Sequence, residues 1–157
     1  MEKTRSERHN RISGDFGEHF VCYWLSKRNF QPVIIDYTGI DIIAYNNSLD
    51  KRWGISVKTR TRTKEKNQQE EININQRELP LILQACKFFD AIPYFGIVSD
   101  GDIQNQIFIH IISFEEMKRI NNFEEGKNLY IKLTEKYIKQ YETTKNSLNI
   151  KIKYEEK

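Results

Sequence analysis

The chain has 157 residues and a mass of 18.8 kDa, enough for one domain that buries its own core without disulfides or a structural metal. Hydrophobic residues at 38%, with 9 Phe and 8 Tyr, exclude a disordered chain, and a net charge of +3 is too small to imply a polyanionic partner by itself. Cys22 and Cys86 stand far apart with no C-x-x-C or His-rich companion, which excludes a zinc or disulfide framework, and neither a signal-peptide core nor an apolar stretch of membrane-spanning length is present. The expectation is a cytoplasmic protein with no membrane partner.

The first ten residues are charged and aperiodic and read as a mobile arm. Phe16, Phe20, Val21, Trp24 and Leu25 then recur at helical spacing, with Ser13 or Asp15 as candidate caps and Asn29 near the stop. Three strand signals follow: Pro32 to Asp36, Ile40 to Tyr45, and Trp53 to about Arg60. They are separated by a Tyr-Thr-Gly turn and by Asn46-Asn47-Ser48, and read as a meander. From Asn75 to about Asp90 a second helix is apolar round much of its circumference, with Pro80 tolerable only in its first turn. Tyr94 to Val98 and Ile107 to Ile112 are two more strands, and Ser113-Phe114-Glu115-Glu116 opens a short helix. Past Asn121, Tyr137, Ile138 and Tyr141 suggest a helix, and Asn149 to Tyr154 alternates like an edge strand. This gives a single domain over 1–157, with a core over 12–120 and an extension over 121–157.

Asp41 lies within Gly39-Ile40-Asp41-Ile42-Ile43-Ala44, a carboxylate among apolar neighbours that is either a metal ligand or an acid at a strand end that caps a turn or pairs with an Arg at the surface. In Gly54-Ile55-Ser56-Val57-Lys58-Thr59-Arg60, alternation turns Ile55 and Val57 to one face and Ser56, Lys58 and Arg60 to the other. If the two strands pair, Asp41 and Lys58 converge, either as a plain salt bridge or as a site where a carboxylate holds a hard cation and an ammonium positions a water. Glu18 flanks the apolar arc of the first helix; it either joins them or closes a capping box begun at Asp15. Seven basic residues crowd Lys51 to Lys66 against one acid, and Arg60, Arg62, Lys64 and Lys66 issue directly from the proposed site as a candidate nucleic-acid-contacting run.

Gly17-Glu18, Gly39-Ile40-Asp41-Ile42-Ile43-Ala44 and Ile55-Ser56-Val57-Lys58-Thr59-Arg60 together resemble the PD-(D/E)-x-K nuclease superfamily, most closely its small Holliday-junction-resolvase and restriction-enzyme branches. The resemblance spans roughly residues 12 to 113. It implies the restriction-endonuclease-like fold, a mixed α/β architecture with an α-β-β-β-α-β core and a central mixed sheet flanked by helices. It also implies a Mg²⁺- or Mn²⁺-dependent phosphodiesterase acting on nucleic acid, with DNA the expected class, and leaves a homodimer open. Asp41 matches the acid that holds the metal, Lys58 the lysine of the x-K pair and Glu18 the helical acid of several branches.

Ser56 departs from the pattern, since a hydroxyl stands where the family has Glu or Gln. Some restriction enzymes of this pattern also read Ser-Val-Lys and take the carboxylate from a later helix, a role open here to Glu70, Glu71 or, best placed, Glu78. Two readings result: an endodeoxyribonuclease with Asp41, Glu18 and Glu78 as metal candidates, or a degenerate member that binds nucleic acid or a protein partner without cutting.

Overall fold

The computed structural model describes residues 8–62, 71–101 and 105–155. In chain order the elements are α1 (His9–Ser26), β1 (Phe30–Tyr37), β2 (Ile40–Asn46), β3 (Lys51–Arg62), β4 (Glu71–Ile74), α2 (Glu78–Phe88), β5 (Ala91–Gly101), β6 (Gln106–Ser113), α3 (Phe114–Ile120), β7 (Leu129–Lys132), α4 (Glu135–Thr143) and β8 (Leu148–Lys153). Six strands form one sheet in the order β1-β2-β3-β5-β6-β8, and β4 pairs with β7 in a separate two-stranded sheet. Short turns make β1, β2 and β3 an antiparallel meander, whereas α2 carries the chain back so that β5 runs parallel to β3. The expected α-β-β-β-α-β core and central mixed sheet are present.

The sheet separates two cores. On one face α1 sets Val21 and Leu25 against Ile42, Ala44, Ile55, Val98, Ile109 and Ile111. On the other, α2, α3, α4 and the small sheet bury Ile82, Met117, Ile131 and Tyr141 over Ile40, Phe95, Ile97 and Ile112. Strand β5 feeds both cores, Phe95 and Ile97 on one side and Tyr94 and Val98 on the other, as the period of two demands of a central strand.

Two close approaches fix the layers around the meander. A Cβ on Gly17 would lie 2.0 Å from Thr59 Oγ1, so only glycine lets α1 seat this low on β3. Gly39 ends the β1–β2 turn at φ +101°, and a Cβ there would meet the Leu81 carbonyl oxygen of α2 at 2.6 Å. That contact presses the start of β2, and Asp41 with it, against α2.

Several boundaries differ from the sequence reading. Helix α1 begins at His9 without a side-chain cap, so Ser13 and Asp15 lie inside it and the capping box ending at Glu18 does not form. The supposed arm is therefore partly helical; its remainder, 1–7, lies outside the described residues, as do Lys64, Lys66 and Glu70. Helix α2 starts at Glu78, although Asn75 still organises its entry by accepting hydrogen bonds from the Arg77 and Glu78 N–H groups at 2.9 and 3.0 Å. Strands β4 and β7 were not foreseen.

Candidate functional site

The end of the meander where β2 begins gathers the charged residues. Asp41 enters β2 one residue before the paired ladder starts at Ile42 and Ile55, and its Oδ2 accepts from the Val57 N–H at 2.7 Å. The side chain thus occupies an acceptor position on β3 and is held beside Ser56, Val57 and Lys58. Burial raises the Asp41 carboxyl above its ordinary range. The Val57 N–H and the Lys58 ammonium act the other way, and Asp36 and Glu78 add repulsion.

Glu18 approaches from α1. Gly17 is sealed against Thr59 while Glu18, one position round the helix, is half-buried. Its carboxyl is also raised, first by burial, then by the charges of Asp41, Asp15 and Asp36. Two carboxylates from different elements therefore feel each other in a partly dry setting, an arrangement that costs free energy until a cation enters.

Lys58 and Glu78 form an ion pair, their side chains 27% and 29% exposed. Glu78 opens α2, where Asn75 holds the helix entry, so the pair ties the sheet to the helix as well as fixing the ammonium. Ser56 is buried, 2% exposed, on the same face as Lys58. Of the sequence candidates, Asp41, Lys58, Glu18, Ser56 and Glu78 share one end of the sheet. Glu71 is exposed on β4, Arg60 follows Lys58 along β3 at intermediate exposure, and Arg62 closes that strand. Asp36 was missed: it lies near the end of β1 at φ +44°, within the register irregularity between Ile34 and Tyr37, and adds negative charge facing both Glu18 and Asp41. Its only sequence signal is an acid next to a turn.

Among the described residues no three His, Cys, Asp or Glu side chains converge into a ready ion cage. A hard divalent cation does not need one, because Mg²⁺ commonly takes one or two carboxylates and completes its octahedron with water and phosphate oxygens. Asp41 with Glu18, all-oxygen donors whose raised carboxyls repel one another, fits that ion and not a soft one.

The thiols and imidazoles lie around and beyond the site. Cys22 and Cys86 are free thiols pushed up to about 11 by burial, with the Glu18 charge adding to the effect at Cys22. The His9 Nε2 is 3.5 Å from Thr61 Oγ1, and His19 Nδ1 is 2.8 Å from the Asp15 carbonyl. His110 is buried at the β6–β8 seam with Nδ1 2.7 Å from Asn149 Oδ1.

Compared with protein-family models the chain matches none, and no curated protein matches it. Among solved structures it is similar in fold to Hjc, a Holliday junction resolvase from the archaeal hyperthermophile Archaeoglobus fulgidus, with a TM-score of 0.55 and 17% identity over 79% of this chain and 85% of that one. The chain has the restriction-endonuclease-like fold of the PD-(D/E)-x-K nucleases that its motifs resemble.

Proposed function

We propose that the protein is a divalent-metal-dependent nuclease that hydrolyses phosphodiester bonds of DNA. The observation that carries this reading is the convergence of Asp41, Glu18, Lys58 and Glu78 at one end of the sheet, with the two acids held in a mutually repelling, half-buried state that a cation relieves. Glu78 brings to Lys58 the carboxylate that Ser56 lacks. The fold shared with a Holliday junction resolvase supports the same class and makes four-way junctions a substrate to test.

Asp41 with Glu18 or Glu78 would hold Mg²⁺ or Mn²⁺, which when bound would supply Lewis-acid polarisation of the phosphate and a lowered pKa for the attacking water. The chain's own residues do the rest. Asp41 is oriented by the Val57 N–H and stays aimed at the end of the sheet. Lys58, aligned by Glu78, donates hydrogen bonds to a water or a phosphate oxygen and offsets the charge that builds on the phosphorus oxygens in the transition state. Arg60 contacts the flanking backbone by charge.

The test is cleavage of plasmid, linear, single-stranded and four-way-junction DNA with Mg²⁺ or Mn²⁺. Wild type cuts at least one, and Asp41→Ala and Lys58→Ala lose cleavage while keeping their circular dichroism. A wild type that cuts none of them and shows no heat of divalent binding refutes the proposal. A second reading draws on the Lys58–Glu78 pair, in which the lysine is engaged by an acid of the chain itself. In it the fold binds DNA and does not cut; retained, metal-independent binding without cleavage is its signature.

A further inference from the structure

Register across the large sheet produces an alignment that no single strand reveals. Arg60 of β3 lies beside Ser99 of β5, Ser99 beside Phe108 of β6, and Phe108 beside Lys151 of β8. Direct cross-strand neighbours point to the same face, so these four side chains form one rank on the face that also carries Lys58 and Ser56. Three inter-strand steps make the rank about 14 Å long. In the next row Gln106 lies beside Lys153, again on this face, while Leu148 and Ile150 of β8 pack into the opposite core.

The charged members of the rank and of the next row are all cations. Lys151 and Lys153 are exposed, and neither they nor Arg60 enters an ion pair among the described residues, unlike Lys118, Arg119, Lys127 and Lys139. Lys151 Nζ stands 5.1 Å from the centre of the Phe108 ring, which holds the ammonium over the row. Ser99, between Arg60 and Phe108, is 1% exposed, so the contacts to an anion come from Arg60 and the two lysines and not from its hydroxyl.

We propose that the charged ends of this rank hold phosphates: a DNA strand leaving the reactive end at Lys58 is contacted by Arg60 of β3, passes over the buried Ser99 without touching it, and ends on Lys151 and Lys153 of β8. This rests on the nuclease reading and adds to it a binding surface supplied by the carboxyl-terminal strand. Lysines on an edge strand also serve simply to keep it unpaired, and the experiment separates the two roles.

Affinity for a labelled DNA duplex is measured by fluorescence anisotropy over a range of salt concentrations, without divalent metal and also with Mg²⁺ in the Asp41→Asn background so that nothing is cut. Lys151→Ala/Lys153→Ala is expected to bind at least tenfold more weakly, with the slope of log K against log salt reduced by about two, since each phosphate contact contributes ~0.9. Lys27→Ala/Arg28→Ala, at the end of α1 on the opposite face, leaves both quantities unchanged. If the β8 pair binds as wild type does while Arg60→Ala weakens binding, or if both double variants weaken it equally, this path is overturned and the nuclease reading stands. A wild type that neither binds nor cuts DNA overturns both.

Discussion

Asp41 occupies a position where a charge is unfavourable in the metal-free protein. Its carboxyl is raised above the ordinary 3.8 because burial and the charges of Asp36 and Glu78 outweigh the Val57 N–H and Lys58. Folding therefore favours the protonated form, and the ionised form at neutral pH subtracts from stability. Asp41→Asn removes that penalty and is expected to raise the metal-free melting temperature at pH 7 by a few degrees, each kcal/mol being worth about 2–4 °C in a chain of this size. The gain fades below about pH 4, where both folded and unfolded wild type are protonated. Millimolar Mg²⁺ should stabilise wild type and not the variant, and cleavage by the variant should fall at least 100-fold, about 2.7 kcal/mol of transition-state stabilisation. A lower melting temperature for Asp41→Asn at neutral pH would show that the Val57 contact, and not the charge, dominates this position.

Glu78→Gln tests the neighbouring residue. It keeps the size of the side chain and removes the charge that aligns Lys58. The nuclease reading expects at least a tenfold loss of cleavage with the melting temperature within about 2 °C of wild type, because a partly exposed pair contributes little to stability. Equal cleavage by wild type and Glu78→Gln would remove Glu78 from the site.

At the scale of elements, α1 bears on the site through one contact. Gly17→Ala would force a Cβ against Thr59 Oγ1 and lift the helix that carries Glu18. The expected cost is ~2 kcal/mol by denaturant unfolding, in the range of overpacked cores. Because Thr59 Oγ1 is buried with no partner among the described residues, Thr59→Ala should recover most of that loss in the double variant. Additive losses would show that the helix is held elsewhere.

The seam between β6 and β8 supplies a pH dependence. Burial lowers the affinity of His110 for a proton, against the favourable Asn149 contact and the charge of Glu142 and with the opposing charge of Lys151, while the Tyr141 ring packs beside it. A folded histidine held below its ordinary 6.5 takes up protons less readily than the unfolded chain. Stability is therefore complete above about 6.5 and is lost as pH falls below it. Thermal melts from pH 7.5 to pH 5 should show a steeper decline for wild type than for His110→Gln; parallel declines would exclude His110 as the cause.

Elements and site were legible in the sequence to different depths. Period-two alternation in β3 and a lone acid in an apolar strand sufficed to bring Asp41, Ser56 and Lys58 to one end of the sheet, because adjacent antiparallel strands impose their pairing locally. Glu78 was also within reach, since it opens a strongly apolar helix that must cover the sheet. Strands β4 and β7 were not: each has four residues, and Glu71 pairs with Lys132 far along the chain, so neither segment carries its own signal. Placing Asp36 beside Glu18, or Lys151 in line with Arg60, requires the three-dimensional register. Helix α1 was started too late because Ser13 and Asp15 look like caps, yet the helix continues through both to His9 with no side-chain cap.

For the whole molecule, the carboxyl-terminal segment is part of the architecture. Tyr141 is fully buried, and its hydroxyl donates to the Lys132 carbonyl at 2.7 Å and lies 3.1 Å from Asn121 Oδ1, locking α4 to the strand β7 and the end of α3. Among the described residues no helix is long and apolar enough to cross a membrane.

The position of β8 at the rim of the sheet also governs what happens when it is lost. Strand β6, Gln-Ile-Phe-Ile-His-Ile-Ile-Ser, is uncharged, free of proline and dense in isoleucine, and among the described residues β8 is the strand that pairs with its outer edge. The opposite rim carries Pro32 and a register irregularity between Ile34 and Tyr37, features that discourage further pairing. A chain cut at Asn146 would bare a strand with the composition of a fibril-forming segment. Proteolytic clipping of this tail would then expose a template for amyloid-like aggregation.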